Sequence, residues 1–449
     1  MDSHVVTKGR YPLRNKYLRL KPRPYLSLST LYYLSYGWTD TNHRRWDQRL
    51  DDGSSPAKRR DTFPHFRARS VSSFRSAGWG LTLNWALPTF RSLLPEDVVA
   101  RLPETFVNAK AVKAGEEGSF TFYDFSTGKA KWKVPASERI RVSRQRLRRL
   151  MLTGVNVEWN KTIVKINTDS AGVTAHFLDG TLATGSFLVA CDGARSLVRR
   201  WMHPTAHDNY QLPIRFIGAS ADFSEGQIRQ IRELDPYFLQ GSDPRTDAYL
   251  WFSLLETPGD ADCPDAKNGK EMYRCQVCVS WPYRDGFFGN AEPTDIPRTN
   301  LERMTWIKAL STDWAEPFRS IVQNIPEGAE IKPVELTDWV PQRNSHDPFH
   351  GRVVLLGDAM HAMVMYRGGG ANHAIVDVSV LLEALKPLYA GLSRTMEKLI
   401  RPFEMRTEIA VLASRQACMD AHDFKRLDNS SPLVRKRMMR TDLEKSWWS

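Results

Sequence analysis

The sequence predicts an α/β protein in which a doubly wound domain, incomplete at its N-terminus, is interleaved with a mixed β-sheet domain and followed by C-terminal helices. Two short apolar strands, within residues 187–200 and 351–378, each end at an aspartate beside a glycine and lead into a helix. Such strand–turn–helix units build parallel sheets with helices on both faces. Between them, residues 214–223, 248–255 and 275–281 are rich in strand formers and are separated by Pro and Gly, which predicts a second sheet.

The N-terminal segment, residues 1–72, differs from the rest of the chain. Its first 70 residues hold 15 Lys and Arg against 6 Asp and Glu, a net charge of +9, whereas all 449 residues carry +12. The isoelectric point of about 9.4 therefore reflects this segment and gives no reason to expect nucleic-acid or membrane binding by the rest. The first 80 residues also lack the Gly-x-Gly-x-x-Gly spacing with which a dinucleotide-binding domain normally begins.

Residues 140–152, IRVSRQRLRRLML, predict a helix that follows a strand. Leu147, Leu150 and Met151 fall on one face, which would pack while the arginines stay solvated. Five arginines in thirteen residues would also suit a nucleic-acid-binding patch, but there is no aromatic interleaving and no recognised nucleic-acid module. We therefore predict a solvated face and no nucleic-acid partner.

Residues 187–200, FLVACDGARSLVRR, form the first strand–turn–helix unit. Asp192 would orient the turn, the glycine after it would permit a positive φ, and Arg195 or Arg199 could screen phosphate charge. In the alternative, Asp192 simply caps the helix that follows. A hairpin with an Asp-Gly turn at residues 179–180 precedes the unit.

The central sheet contains many aromatic residues but no acid, base or nucleophile that stands out. The aromatics could line an apolar cavity for a flat or polycyclic molecule, or they could be ordinary core: Trp251, Phe252, Trp281, Tyr283, Phe287 and Phe288. Cys275 and Cys278 have the spacing of half a metal site, but no second ligand pair accompanies them. We predict no metal and assign no catalytic residue.

Residues 351–378, GRVVLLGDAMHAMVMYRGGGANHAIVDV, carry the most informative motif. The strand would deliver Asp358 to the carboxyl edge of a sheet, where a carboxylate can accept hydrogen bonds from ribose or ribityl hydroxyls. Three glycines, residues 368–370, would let the backbone approach a ligand. A helix from Ala371, with Asn372 near its start, would present its N–H groups. These features point to a bound phosphorylated cofactor, FAD in particular.

The motif GDAMHAMVMYRGGGANHAI, together with the units at residues 140–152 and 187–200, resembles the group-A FAD monooxygenases, the aromatic hydroxylases with a p-hydroxybenzoate-hydroxylase-like fold. The fungal members that act in secondary metabolism are most similar, although many other relatives carry a proline where Met365 stands. The resemblance runs, with gaps, from about residue 77 to about residue 415. It implies that FAD is held by the following residues: Arg144, Asp192, Asp358, Gly370, Ala371 and Asn372.

The resemblance implies an NAD(P)H-dependent FAD monooxygenase that hydroxylates or epoxidises a small-molecule secondary metabolite, such as a polyketide, terpenoid or alkaloid, through a flavin C4a-hydroperoxide. Baeyer–Villiger insertion, dehydrogenation and flavin-dependent halogenation remain open within this class. Because the Gly-x-Gly-x-x-Gly unit is missing, the alternative is a truncated, non-catalytic relative that does not hold FAD stably.

The motifs predict a domain order. Five segments are expected: an atypical basic segment at 1–72, a first part of the FAD-binding domain at 73–203 with an interleaved substrate-domain portion at about 80–136, a substrate domain at 204–335, a second part of the FAD-binding domain at 336–415, and a C-terminal tail at 416–449. Five scattered cysteines without a secretory signal fit a reducing, cytoplasmic location. No apolar run reaches the roughly 18 residues of a membrane span. The oligomeric state is left open.

Overall fold

The computed structural model describes residues 65–67, 79–134, 138–170, 172–342, 347–389 and 397–435. The predicted N-terminal segment falls almost wholly outside the described residues, as does the end of the predicted tail. The helices of the described part, labelled α1 to α11 in chain order, are Leu87–Leu93, Glu96–Ala100, Ala109–Lys113, Arg144–Met151, Leu197–Met202, Glu225–Leu234, Asn300–Leu310, Phe318–Gln323, Asp358–His361, Gly370–Tyr389 and Glu397–Ala421. None of them is long and apolar enough to cross a membrane.

The strands of the described part form one sheet of seven strands, one of three and four pairs. Labelled β1 to β18 in chain order, they are His65–Phe66, Gly80–Leu83, Phe120–Asp124, Ala130–Val134, Ile140–Ser143, Val157–Glu158, Ile163–Thr168, Val173–Phe177, Leu182–Gly185, Leu188–Ala190, Tyr210–Gln211, Ile214–Ser224, Phe238–Ser242, Tyr249–Glu256, Met272–Pro282, Ile331–Pro333, Thr337–Asp338 and Val353–Leu355. Short 3-10 turns occupy Leu102–Thr105, Phe287–Gly289 and Met365–Arg367.

The seven-stranded sheet is the largest layer, with the strand order β16-β12-β15-β14-β13-β3-β4. The three predicted central strands are confirmed as β12, β14 and β15, which are buried along most of their length. One face packs against α6, α7 and α8 in an apolar cluster. Helices α6 and α7 start at capping boxes, in which Ser224 pairs with Gln227 and Thr299 with Glu302. These pairs satisfy backbone N–H groups that a helix start leaves without a partner.

The opposite face of the sheet is covered differently. It packs against the 3-10 turn Met365–Arg367 and against the end of α11. Because side chains alternate along a strand, neighbouring residues of β14 serve different faces. Tyr249 belongs to the cluster with Tyr366, whereas Leu250 and Phe252 belong to the helix-covered core.

The doubly wound part is built around β10 and β18, which pair in parallel with Leu188 opposite Val353 and Ala190 opposite Leu355. Their apolar core also includes residues of β2, β5, α1, α4 and α10. On α4 the predicted apolar face is confirmed, since Leu147, Leu150 and Met151 are buried. The prediction that the arginines of this segment stay solvated is wrong for Arg146, which is buried because it pairs with Glu256, and for Arg141. The predicted hairpin is confirmed as β8 and β9, with Gly180 at φ +83° in its turn.

Some predicted boundaries differ from the observed ones. The apolar pattern of residues 155–166 predicts one strand after α4, but the structure has two, β6 and β7, because Asn160 takes φ +59° between them. Within residues 80–136 the large sheet takes only β3 and β4 of the described strands, a shorter portion than predicted. Strand β2 instead pairs with β5, and α1 packs in the core around β10 and β18.

The predicted tail from residue 416 is packed over its described part. Helix α11 continues to Ala421, and Leu427 and Leu433 are buried after it in the cluster beneath the large sheet. The predicted boundary cuts this helix because it lies where the resemblance ends, at about residue 415, although no glycine or proline near residue 416 ends the helix there.

Candidate functional site

Two aspartates predicted to hold a cofactor lie at the same edge of the parallel pair. Strands β10 and β18 run in register, so the turns that follow them lie side by side. Asp192 follows the first strand and Asp358 the second. Gly193 and Gly357 take φ of +88° and +59°, which an L-residue rarely adopts, and so allow both turns to be tight. Two motifs found separately in the sequence are therefore parts of one site.

Arg199 on α5 fastens the two turns together. Its Nη1 atom donates to the carbonyl oxygens of Asp358 at 3.4 Å and Ala359 at 3.2 Å. Its Nη2 atom donates to the oxygens of Ala194 at 2.5 Å and Asn209 at 2.6 Å. The side chain is 2% exposed, and burial lowers its pKa to about 10. Arg199 therefore serves as an internal clamp, whereas the sequence suggested that it could screen a phosphate.

The carboxylate of Asp192 caps its own helix. It accepts hydrogen bonds from the Leu197 N–H at 2.8 Å, the Val198 N–H at 3.2 Å and the Ser196 hydroxyl. Burial raises its pKa, and these bonds offset the rise only in part. This is the capping arrangement that the sequence left open as an alternative. Its contact with a cofactor stays a prediction.

The carboxylate of Asp358 differs from that of Asp192: no described residue donates a hydrogen bond to it. Burial raises its pKa to about 6, against the opposing effects of nearby His361, Arg144 and Arg199. Arg144, at the start of α4, therefore lies near Asp358 although the two come from different motifs. Asp358 is half-buried by its exposed area, and a half-buried carboxylate without a protein donor is available to ligand hydroxyl groups.

The glycine-rich turn leads into α10 with backbone donors still open. Among the described residues, the first N–H of this helix with an acceptor is that of His373, which donates to Gly369 O at 2.9 Å. The preceding N–H groups are those of Gly370, Ala371 and Asn372. Because they lie in the first turn of α10, they have no acceptor within the helix. Together with the helix dipole, they suit an anion or a carbonyl oxygen.

The side chain of Asn372 is occupied by the protein. Its Oδ1 atom accepts from the Asn84 N–H at 3.0 Å, and its Nδ2 atom donates to the carbonyl oxygens of Thr82 at 3.1 Å and Gly368 at 3.2 Å. The residue is fully buried. Asn372 therefore holds the glycine-rich turn against β2, and only its backbone N–H remains open to a ligand.

A buried ionic cluster supports the Gly-Asp turn. Asp377 on α10 accepts from the Gly357 N–H at 2.9 Å, pairs with His361 Nε2 at 2.7 Å and receives a further bond from Arg406. Burial alone would raise the pKa of Asp377, but His361 and Arg406 lower it to about 2. The sequence showed His361 and Asp377 within the motif, whereas Arg406, on the next helix, gave no signal.

A chain of buried polar side chains joins the glycine-rich turn to the large sheet. The Tyr366 hydroxyl lies 2.9 Å from Ser280 Oγ, which lies 2.9 Å from His422 Nε2. His422 Nδ1 lies 2.7 Å from the Cys418 carbonyl oxygen, which can only accept, so the proton is assigned to Nδ1. Burial lowers the pKa of His422 to about 4, which keeps the imidazole neutral near pH 7.

The six aromatic residues that could line a cavity or form ordinary core do not share a surface. Phe252, Trp281 and Phe287 are buried in the core under α6, α7 and α8. Tyr283 and Phe288 are 36% and 43% exposed. Trp251 alone turns to the other face of the sheet. The period-two alternation of side chains along a strand places Trp251 and Phe252 on opposite faces, a separation that the sequence alone predicts.

The same alternation applies to the cysteine pair. Cys275 and Cys278 lie three residues apart on β15, and they belong to the cores on opposite faces of the sheet. Both are buried, and neither can share a ligand with the other.

Comparison with known proteins identifies the family. A family model described as an FAD binding domain matches residues 311–399. The protein called "Probable FAD-dependent monooxygenase" of Arthroderma benhamiae is 44% identical over 380 residues, which cover 81% of this chain and 87% of the relative. The FAD-dependent monooxygenase tazP of Aspergillus terreus is 33% identical over 73% of this chain and 81% of its own length. The chain belongs to the FAD-dependent monooxygenases.

Solved structures agree on the fold of this monooxygenase. Klebsiella pneumoniae HpxO, complexed with FAD and uric acid, has a TM-score of 0.58 at 19% identity, covering 80% of this chain and 82% of that one. The 2,6-dihydroxypyridine-3-hydroxylase of Arthrobacter nicotinovorans has a TM-score of 0.60 at 16% identity, covering 84% and 91%. The predicted family and the predicted α/β fold are thus confirmed.

The described residues of the monooxygenase fit part of FAD. The Asp358 carboxylate lacks a protein donor, and the N–H groups at the start of α10 lack acceptors. These two features together suit a molecule that carries hydroxyl groups and either a phosphate or a ring carbonyl.

Proposed function

We propose that this protein is an NAD(P)H-dependent FAD monooxygenase that hydroxylates or epoxidises a flat secondary metabolite such as a polyketide. The observation that carries the proposal is that no described residue donates a hydrogen bond to the Asp358 carboxylate and that the N–H groups at the start of α10 lack acceptors within the helix. Arg144, Asp192, Asp358, Gly370, Ala371 and Asn372 are the residues proposed to hold FAD. When bound, FAD supplies the redox chemistry, accepting a hydride from NAD(P)H and delivering one atom of dioxygen to the substrate.

The protein would hold the cofactor in distinct ways. Asp358 would accept hydrogen bonds from hydroxyl groups of the ribityl chain or ribose, and Arg144 would supply a positive charge beside it. The N–H groups of Gly370, Ala371 and Asn372 would donate to phosphate or to a flavin oxygen. Asp192, whose side chain caps α5, would act through the shape of its turn.

The substrate would lie on the face of the large sheet that carries Tyr249, Trp251 and Tyr366. This face is rich in aromatic side chains, and it adjoins the turn that precedes α10. Apolar walls exclude water, which strengthens electrostatic interactions within a site. Among solved proteins of similar fold, HpxO is complexed with uric acid and another is a 2,6-dihydroxypyridine-3-hydroxylase; both compounds are flat rings, which supports a flat substrate.

The visible spectrum of the purified full chain, with and without added FAD, tests this proposal. We expect a bound-flavin band near that of free FAD in the wild type and loss of most of it in Asp358→Ala. Asp285→Ala is the matched control, since Asp285 is exposed on a loop and should leave flavin content unchanged. A wild-type chain that takes up no flavin from excess FAD would contradict the proposal and favour a non-catalytic relative.

A further inference from the structure

Helix α4 is fastened to the large sheet by a buried glutamate. Glu256 is the last residue of β14 and is 6% exposed. Its Oε1 atom accepts a hydrogen bond from Ser143 Oγ at 2.9 Å, and its Oε2 atom lies 2.7 Å from Arg146 Nη2. Ser143 ends β5 and Arg146 lies in the first turn of α4. A residue of the large sheet therefore contacts the chain on both sides of Arg144.

The bond to Glu256 changes how α4 begins. Ser143 stands directly before the helix, where a serine hydroxyl normally accepts a hydrogen bond from an N–H group of the first turn. Here the hydroxyl donates to Glu256 and caps no N–H group of the helix. The start of α4 is thus left uncapped by its own serine, beside the positive charge of Arg144. Both features favour an anion at this end of the helix.

The charge of Glu256 depends on pH in the neutral range. Burial raises the pKa of Glu256 to about 7, against the opposing effects of Arg146 and Ser143. Above pH 7 the carboxylate is ionised and pairs with Arg146, and below pH 7 it takes up a proton. The charged and titratable groups around it come from three elements: Arg146 of α4, Asp260, Asp262 and Cys263 of the loop that follows β14, and Arg274 of β15.

We propose that Glu256 is a positioning residue for FAD: it fixes the start of α4 so that Arg144 meets the cofactor beside Asp358. The inference deepens the proposed function and rests on it, since Arg144 and Asp358 are among the residues proposed to hold FAD. Arg144 opposes the rise in the pKa of Asp358, which indicates that the two side chains lie near each other. Glu256 acts on the cofactor through Arg144.

Titration of the FAD-free full chain with FAD measures this effect. Glu256→Gln keeps the shape of the side chain and an acceptor for Ser143, but it removes the charge that pairs with Arg146. We expect its dissociation constant for FAD at pH 8.5 to be about tenfold higher than that of the wild type. Glu327→Gln changes an exposed glutamate in the same way and should bind FAD as the wild type does.

The pH profile separates positioning from a general loss of stability. The ratio of the two dissociation constants, Glu256→Gln over wild type, should fall toward one between pH 8.5 and 6.0. The reason is that the wild-type carboxyl takes up a proton as pH falls through about 7 and then resembles the amide. Titration of Asp358 is common to both proteins and affects both constants. A ratio that does not change with pH would overturn the inference.

A double substitution tests the route through Arg144. In an Arg144→Met background, Glu256→Gln should have no further effect on the affinity for FAD, because the residue that it positions is gone. The same tenfold loss in that background as in the wild type would overturn the inference. If Glu256→Gln does not fold, Ser143→Ala takes its place, since it removes only the bond to Oε1. It should raise the dissociation constant about threefold, and an unchanged constant would overturn the inference.

The same titrations separate this inference from the proposed function. If the wild type binds FAD and Glu256→Gln binds it equally well at pH 8.5, the inference fails and the proposed function stands. If the wild type takes up no FAD, the proposed function fails and the inference fails with it.

Discussion

At the scale of single residues, the buried arginines show that surroundings decide what a side chain does. Arg199 and Arg141 are both buried, and burial lowers the pKa of each to about 10. Arg199 donates hydrogen bonds to three backbone carbonyl oxygens and to one side-chain amide oxygen, and it therefore stabilises the turns that it joins. Arg141 meets two hydroxyl groups, and no carboxylate of the described residues acts on it, so its positive charge is left unbalanced.

The low pKa of His422 predicts that the stability of the fold decreases in acid. Its folded pKa of about 4 lies below the usual 6.5, so its contribution to stability is present above pH 6.5 and is lost as pH falls toward 4. Protonation would place a charge among buried groups and break the bond from Ser280. Between pH 7.5 and 5.0 this residue alone should lower the free energy of unfolding by about 2 kcal/mol.

Urea unfolding at the two pH values measures this effect. In His422→Asn, the drop in the free energy of unfolding between pH 7.5 and 5.0 should be smaller than in the wild type by about that 2 kcal/mol. His350→Asn is the control, because His350 is exposed and its φ of +51° suits asparagine. An equal drop in His422→Asn and wild type would show that His422 is not held neutral.

At the scale of elements, the start of α10 depends on a distant strand. The Asn372 side chain joins the glycine-rich turn to β2 through three hydrogen bonds, one of them with a residue 288 positions away in the sequence. The turn alone would not define where the open N–H groups lie. The position of the helix start is therefore set by tertiary contacts as well as by the glycines.

Substitution of Asn372 should disturb both stability and flavin binding. Asn372→Ala removes the hydrogen bonds that its side chain makes to the half-buried Asn84 N–H and Thr82 carbonyl, which should cost about 1 to 3 kcal/mol of unfolding free energy. The retained FAD should fall as well, because the turn is no longer fixed. Asn290→Ala, which removes an exposed hydrogen bond to Thr294, should change neither quantity. The melting temperature and the flavin content of the wild type and the two variants test this prediction. An unchanged melting temperature for Asn372→Ala would contradict it.

The elements were more predictable from the sequence than the contacts between them. Strands β10, β18 and β12 follow from apolar runs, and α4 follows from the spacing of Leu147 and Leu150, because these signals are local. Three features depend on residues far away in sequence. These are the hydrogen bonds between the Asn372 amide and β2, the hydrogen bonds by which Arg199 joins two turns, and the burial of Arg141 without a carboxylate partner among the described residues. No local pattern encodes such pairings. Asp358 could be singled out because it sits at a strand end, where ligands of such sheets bind.

At the scale of the whole molecule, the C-terminal residues pack against the face of the large sheet that carries Tyr366. Cys418, Leu427 and Leu433 pack in the same cluster as Phe216 and Tyr366. The Ser242 hydroxyl of β13 donates to the Ala421 carbonyl oxygen at 2.6 Å, which ties the end of α11 to the sheet. The chain after residue 415 therefore covers the face on which the proposed substrate would lie.

Truncation tests that role. A chain ending after Arg415 should expose the apolar cluster and lose soluble expression or bind a hydrophobic dye such as ANS strongly. A chain ending after Arg435 keeps the described contacts and should melt within a few degrees of the full chain. Soluble yield, dye binding and the melting temperature of the two chains make the comparison. Normal folding of the shorter chain would show that the C-terminal contacts are dispensable.

The alternation along β14 has a practical consequence for protein engineering. Odd-numbered residues of this strand, Tyr249, Trp251 and Ser253, turn toward the face that carries Tyr366 and Arg141, while Leu250 and Phe252 turn toward the helices. A library intended to broaden substrate range should vary the odd positions and leave the even ones intact. A one-residue insertion in β14 would exchange the two sets and place leucine and phenylalanine where the ligand is expected.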